Sequence, residues 1–515
     1  MFFKQIKKIA FENIAFIVLS SFYFIFRLVN LTLLPIFNDE AIYLDWGFKS
    51  LHFPHHLFYS LFDAKQPFLI WVFGVFEMVF TDPLFAGRVV SVLTGFLTFL
   101  GIYFLGKEFF NKKIALVAAF FYVIIPIFSF FDRQALMESA ISCISVWSCY
   151  LFLQLQQKQT TKLSLLLGVV LGIGFLIKTS SVVFISTVLL LSFFHVFSTP
   201  KGREKQLKNI FFFSLVVLVI NTILYTQDIF WETLHTNDRY SLTIEELSHF
   251  PLSHWLQNMK DVLEISFFYI TPIIFLLGCA GIILLLTSPK KRIKLVVSWF
   301  LVNLIVIVVF TRNFNPRYIV SFLPLITLFS SCMVYAIWEK QKFIVLLLCV
   351  VCSGIAFWLT TLQIFFPLSY FSTFAQVTRF SQKSEYVTDW PSGYGINETR
   401  EILDKLAQQA PLYVGVRPDS GNPESAIFTY YNSTKRIMPT YINSQLIKPW
   451  TLGDSCIRSN LPFYFVARDT QLAGLKTFIV QEIKKIYKPE KKSFIAIYKL
   501  HTDITCQNVK IGIKS

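Results

Sequence analysis

The chain of 515 residues is 54% hydrophobic, holds 58 Phe and is only 15% charged, with a mean hydropathy of +0.57. These values exclude a soluble globular protein. The net charge of +16 does not make it a nucleic-acid binder, because Lys and Arg gather in short stretches between apolar runs, where they orient a membrane protein.

Eleven runs long enough to cross a bilayer fall at about residues 12–34, 84–106, 114–130, 136–155, 163–177, 180–197, 209–226, 266–287, 293–310, 317–338 and 342–364. The first is too long for a cleavable signal peptide and lacks a small-residue cleavage site, so it reads as a span. A further run, PFLIWVFGVFEMVFT at 67–81, is short and carries Glu77. If it does not cross, the loops 1–12, 107–113, 156–162, 200–208, 288–294 and 339–342 hold 18 Lys and Arg in 46 residues. The opposite loops, 35–83, 131–137, 178–181, 227–265 and 311–318, then hold 8 in 107. By the positive-inside rule the N-terminus is cytoplasmic and 67–81 lies along the outer interface as an amphipathic helix.

The expected architecture is an α-helical polytopic protein with about 11 transmembrane helices and interfacial helices in its first outer loop, 35–83. Parity sends the tail, 366–515, outside as a second domain beyond the membrane domain 1–365. There GYGINETREILDKLAQQ reads as a helix, while PLYVGV, PFYFVAR and KSFIAIYKL read as strands. The tail is expected to be a small extracytoplasmic α/β domain. Six of the eight Cys lie in apolar runs, whereas Cys456 and Cys506 lie in the tail and are free to pair in an oxidising compartment.

The first outer loop opens on Asp39 and Glu40. One of these acids serves equally as a helix cap or as a base that takes the proton of an attacking hydroxyl. Lys65-Gln66-Pro67 starts the interfacial helix, where Pro suits a first turn and a cation beside a helix N-terminus suits an anion; lipid-facing snorkelling is the alternative. Arg88, in FAGRVVSVLTG, is costly inside an apolar run unless it meets a cavity or an anion. Asp132, Arg133 and Glu138 crowd one short turn, as an ion pair or as part of a site. Lys178 suits helix-end anchoring and phosphate contact alike. Arg317-Tyr318 opens the tenth run, and an Arg clamps phosphate through paired hydrogen bonds. His52, His55 and His56 have no carboxylate or Cys at ligand spacing and read as interface residues rather than metal ligands. Together Lys65, Arg88, Lys178 and Arg317 fall on the face that holds Asp39, which points to an anionic lipid headgroup beside a carboxylate.

DEAIYLDWG at 39–47, AKQPFLIWVFG at 64–74, FAGRVVSVLTG at 85–95, DRQALMES at 132–139, LGIGFLIKTS at 171–180 and NPRYIVSFLPL at 315–325 resemble, in order and spacing, the C-type-fold membrane glycosyltransferases that use polyprenyl-phosphate sugars. The nearest branch holds the protein O-mannosyltransferases and the lipid A aminoarabinose transferase. The resemblance covers roughly residues 10–365, and YVTDWPSGYGINE at 386–398 is similar to the start of the outer domain in bacterial members. It implies Asp39 as catalytic base, beside Glu40, with Glu138 as its acidic partner where Met137 replaces the usual Pro. It implies Lys65 on the donor phosphate, with Gln66 departing from the usual Lys-Pro-Pro, and Arg88 and Arg317 around the same phosphate; Lys178 and Tyr318, on the same outer face, are the further phosphate-binding candidates. The implied reaction is inverting sugar transfer from a polyprenyl phosphate to a hydroxyl of a lipid, protein or cell-envelope glycan on the outer face of the cell membrane. No cofactor is implied, and a divalent metal is not required. The other readings are a transporter or flippase of a lipid-linked or anionic substrate, and a catalytically inactive relative.

Overall fold

The structure, a computed structural model, describes residues 2–198, 202–418, 421–442, 447–448, 461–471 and 479–500. Helix α1 (Phe2–Leu28) leads into a long connection holding α2 (Asn38–His52) and α3 (Phe68–Glu77). The chain continues through α4 (Pro83–Phe109), α5 (Lys112–Ile124), α6 (Pro126–Phe131), α7 (Glu138–Lys158), α8 (Thr161–Ile177), α9 (Val182–Ser198) and α10 (Arg203–Tyr225). A second long connection contains α11 (Asp228–Glu232) and α12 (Ile244–Ser248), followed by α13 (Leu252–Tyr269), α14 (Pro272–Leu286), α15 (Lys291–Phe310), α16 (Pro324–Trp338), α17 (Lys342–Phe365) and α18 (Pro367–Val377). Among the described residues, 6 helices are long and apolar enough to cross a membrane, and α3, α8, α14 and α16 are shorter apolar helices. This is a multi-pass membrane protein.

Several expected spans are shaped by local chemistry. The run 114–130 is two helices, because Pro126 has no N–H to continue the ladder and Ile125 turns extended before it. The run 317–338 becomes regular helix only at Pro324, after a 3-10 turn at Pro316–Tyr318. Helix α3 has 10 residues, a length of about 15 Å, roughly half the hydrocarbon thickness. It crosses α2 backbone to backbone, since a Cβ on Gly74 would overlap the Gly47 carbonyl.

The chain then forms α19 (Ile396–Gln409), α20 (Glu424–Tyr431) and six strands, β1 (Leu412–Val416), β2 (Ile437–Ile442), β3 (Ile447–Lys448), β4 (Phe463–Arg468), β5 (Ile479–Tyr487) and β6 (Phe494–Leu500). Their order is β3-β2-β1-β4-β6-β5, with β1 parallel to both β2 and β4 and the outer pairs antiparallel. The stretches read as a helix and three strands become α19, β1, β4 and β6. Cys456 and Cys506 lie outside the described residues. Helix α20 rests along α2: Thr429 Oγ1 donates to the Ala41 carbonyl at 2.7 Å, and Asn432 Nδ2 to Asp45 Oδ1 at 2.5 Å. The sheet domain is thus seated on the first connection.

Candidate active site

Helix α2 opens with two acids that diverge at once. Consecutive residues on a helix point about 100° apart, so Asp39 and Glu40 cannot serve one place. Glu40 turns inward and is 0% exposed. Its carboxylate accepts from Arg88 Nε at 2.8 Å, Arg88 Nη2 at 2.6 Å, the Ala135 N–H at 2.7 Å and the Phe37 N–H at 3.0 Å. Arg88, also 0% exposed, gives its remaining donors to the Leu31, Leu34 and Pro35 carbonyls and to Gln134 Oε1. The expectation of Arg88 at the phosphate and Glu40 beside the base gives way to a sealed ion pair. It ties the end of α1 and the α6–α7 turn to the start of α2.

Asp132 and Arg133 are structural too, though not through each other. Asp132 accepts from Arg27 Nε at 3.2 Å and from the Tyr23, Tyr122 and Ser139 hydroxyls. Arg133 donates to the carbonyls of Phe26, Arg27, Val29 and Asn30, closing the C-terminus of α1.

Asp39 points the other way and keeps 31% of its side chain exposed. Arg317, from the 3-10 turn before α16, donates from Nη1 to Asp39 Oδ2 at 2.6 Å and from Nε to Glu138 Oε1 at 3.2 Å. Lys178, capping α8, donates to the same Glu138 oxygen at 3.0 Å. Glu138 is the first residue of α7 and nearly fully buried, so one buried carboxylate holds two cations that reach outward. Arg317 itself is set by Asn315, whose Oδ1 accepts the Arg317 N–H at 3.1 Å.

Lys65 approaches along the adjoining turn. Gln66 Oε1 accepts from Thr179 Oγ1 at 3.0 Å, which fixes the Lys65 turn beside the Lys178 turn. Lys65 Nζ lies 3.5 Å from the Tyr240 hydroxyl and 4.9 Å from its ring centroid, a cation–π contact. Tyr318 is half-buried next to Arg317. The structure therefore gathers Asp39, Glu138, Lys178 and Arg317 in one chain of ion pairs, with Lys65 alongside. His55 and His56 pack on each other and on Phe53 and Tyr59.

One group at this place carried no signal in the sequence. Glu385, in a π-turn at Ser384–Thr388, accepts from Asn315 Nδ2 at 3.0 Å. Burial raises its carboxyl above the usual range; the Arg317 charge opposes that shift and the Asp39 charge adds to it. π-turns often mark functional sites, yet a lone Glu between two domains has no pattern to betray it.

The arrangement spans a helical bundle and a seated sheet domain. Over 95% of this chain and 98% of the other, it superimposes on the crystal structure of ArnT from Cupriavidus metallidurans bound to undecaprenyl phosphate, with a TM-score of 0.57 and 14% identity. The fold is that of the C-type membrane glycosyltransferases. Archaeal oligosaccharyltransferase AglB from Archaeoglobus fulgidus, in complex with an inhibitory peptide and a dolichol-phosphate, shares the C-type fold over 84% of this chain and 64% of its own, with a TM-score of 0.53 and 13% identity. Residues 64–225 match the family model described as dolichyl-phosphate-mannose-protein mannosyltransferase. That segment of the C-type fold holds Lys65, Glu138 and Lys178. No curated protein matches the chain.

Proposed function

We propose that the protein is a glycosyltransferase that moves a sugar from a polyprenyl phosphate to a hydroxyl acceptor at the outer face of the membrane. The observation that carries this reading is the ion-pair chain Asp39–Arg317–Glu138–Lys178. It sets an accessible carboxylate against cations that a second buried carboxylate holds. The family model over 64–225 and the C-type fold support it. The excess of Lys and Arg in the alternate loops supports an N-terminus in the cytoplasm and a sheet domain outside.

In this scheme Lys65, Lys178 and Arg317 take the donor phosphate, with Tyr318 beside them. Asp39 accepts the proton of the acceptor hydroxyl as its oxygen attacks the anomeric carbon from the side opposite the phosphate. The carbon–oxygen bond to phosphate breaks with inversion, and the leaving charge is met by fixed cations rather than by an acid. Arg317 spends one N–H on Asp39 and one on Glu138, which leaves others of its five for a phosphate, and the two anions compete for its charge. An arriving phosphate weakens the hold of the guanidinium on Asp39 and makes the carboxylate more available to the hydroxyl. The scheme needs neither a cofactor nor a metal.

The test is to offer membranes containing the protein a panel of labelled polyprenyl-phosphate sugars and to follow the label into lipid, protein and glycan. Transfer from at least one donor, lost in Asp39→Asn, is expected. No transfer from any donor, with no binding of undecaprenyl phosphate, would sink the proposal.

A further inference from the structure

The start of α2 is held from outside the bundle. Its first N–H, at Asn38, donates to the Pro391 carbonyl at 3.0 Å, and Phe37 stacks on Tyr386 with centroids 4.4 Å apart. Asn422 Nδ2 donates to both the Ile36 and Pro391 carbonyls at 3.1 Å. Gly393 lies so close that a Cβ there would overlap the Ile36 carbonyl. The turn at 389–393 is a clasp on the residues just before Asp39.

That turn is organised by a buried ammonium. Lys488, at the end of β5, is 2% exposed and donates from Nζ to the Asp389 carbonyl at 2.6 Å and the Ser392 carbonyl at 3.1 Å. Ser392 Oγ in turn donates to the Tyr386 and Val387 carbonyls, and Ser493 Oγ to the Thr388 carbonyl. A buried cation with backbone carbonyls as its acceptors is an expensive way to close a turn. A neutral side chain would suffice if the turn had no position to keep.

We infer that Lys488 is a positioning residue for the reaction: through the 389–393 turn it fixes the first turn of α2 and so the place of Asp39. This rests on Asp39 acting as the base. The sheet domain then sets the geometry of the catalytic carboxylate and is more than a cover.

The clasp is pH-sensitive in a defined direction. Burial first, then the Arg468 charge, lower Lys488 to about 8, while Asp469 and Asp389 pull the other way. A free Lys titrates at about 10.4. Between those values the folded protein binds fewer protons than the unfolded chain, so raising the pH across the window favours the fold as a whole. The clasp meanwhile loses its charge-assisted hydrogen bonds. Local loosening with unchanged or improved global stability is a signature that general unfolding does not give.

The experiment is hydrogen–deuterium exchange on the full-length protein in nanodiscs, with Lys488→Met and Asn422→Ala. In both variants exchange over residues 36–44 is expected to rise about tenfold, the loss that follows removal of one such hydrogen bond, with binding of undecaprenyl phosphate retained. In the wild type, exchange there, corrected for intrinsic chemistry, rises as the pH passes about 8; in Lys488→Met it is already high and flat. Wild-type exchange over 36–44 in both variants overturns the inference. If Lys488→Met does not fold, Asn422→Ala decides alone, since it removes a separate pair of hydrogen bonds at the same clasp. Failure of the transferase reading shows instead as a wild type that neither binds undecaprenyl phosphate nor needs Asp39, whatever the exchange.

Discussion

Arg317 stands between two carboxylates, 2.6 Å from Asp39 and 3.2 Å from Glu138, and they differ in what they can give up. Glu138 is nearly fully buried and also holds Lys178, so its pair with Arg317 is the harder one for a ligand to replace. Asp39 is partly open to solvent, and its pair is the one a ligand can replace.

Asp39→Asn is expected to lower turnover by at least about a hundredfold, the span for losing a general base. It should also bind undecaprenyl phosphate more tightly than wild type, because the negative charge that competes with phosphate for Arg317 has gone. A binding titration on both proteins checks this, and equal or weaker affinity would show that Asp39 and phosphate do not share Arg317.

Adjacent positions should separate stability from function. In Glu40→Gln, Arg88 is left charged and sealed from water, at a cost of about 3–5 kcal/mol, so the yield of folded, monodisperse protein should fall. In Glu138→Gln, Arg317 keeps Asp39, and Lys178, 32% exposed, reaches solvent. That variant should fold, show a higher KM for donor and lose activity. Thermal melts and donor titrations of the two distinguish them.

Gly74→Ala should separate α2 from α3, since its Cβ meets the Gly47 carbonyl rather than a flexible side chain. A cost of about 1–3 kcal/mol is expected, with loss of transfer because Asp39 and Lys65 stand on the separated pieces. A lowered melting temperature with normal transfer would mean the crossing does not set the site.

The connection over Lys65 should loosen in acid. Arg312 donates to both Glu246 oxygens, at 2.7 and 2.6 Å, and its N–H to the Tyr240 carbonyl at 3.0 Å. The Arg312 hydrogen bond first, then the Thr243 N–H, hold Glu246 down at about 2. Its folded value lies below the free one, so this contribution is complete above about pH 4.3 and is lost as the pH falls toward 2. Limited proteolysis at 234–250 across that range should show cleavage rising with acidity, and Arg312→Ala should show it already at neutral pH.

How much of this was readable beforehand follows from the kind of signal each residue leaves. Lys65, Lys178 and Arg317 stand out because cations gather on the face that the positive-inside rule depletes of them, and Asp39 because it shares that face. Arg88 and Glu40 leave the same marks, a cation and an acid on that face, and do something else. A one-residue step around α2 sends Glu40 to the core, and an Arg near a span end looks alike whether it faces lipid phosphate or a buried acid. Arg27, the partner of Asp132, lies inside the first apolar run, where the surrounding hydropathy masks it. Glu385 and Lys488 reach their places only through the packing of two domains, a relation that no local window contains. The bundle was legible from hydropathy, but the breaks at Pro126 and Pro324 were not, because apolar composition continues through both.

The seat of α20 along α2, together with the Asn38–Pro391 hydrogen bond, bears on how such proteins can be recombined. The first connection is shared property, inserted between α1 and α4 yet finished by chain some 350 residues later. A chimera that grafts another sheet domain onto this bundle must carry residues 36–45 with the graft. A bundle cut after α17 would keep every cation of the site but leave the start of α2 without its external fastening.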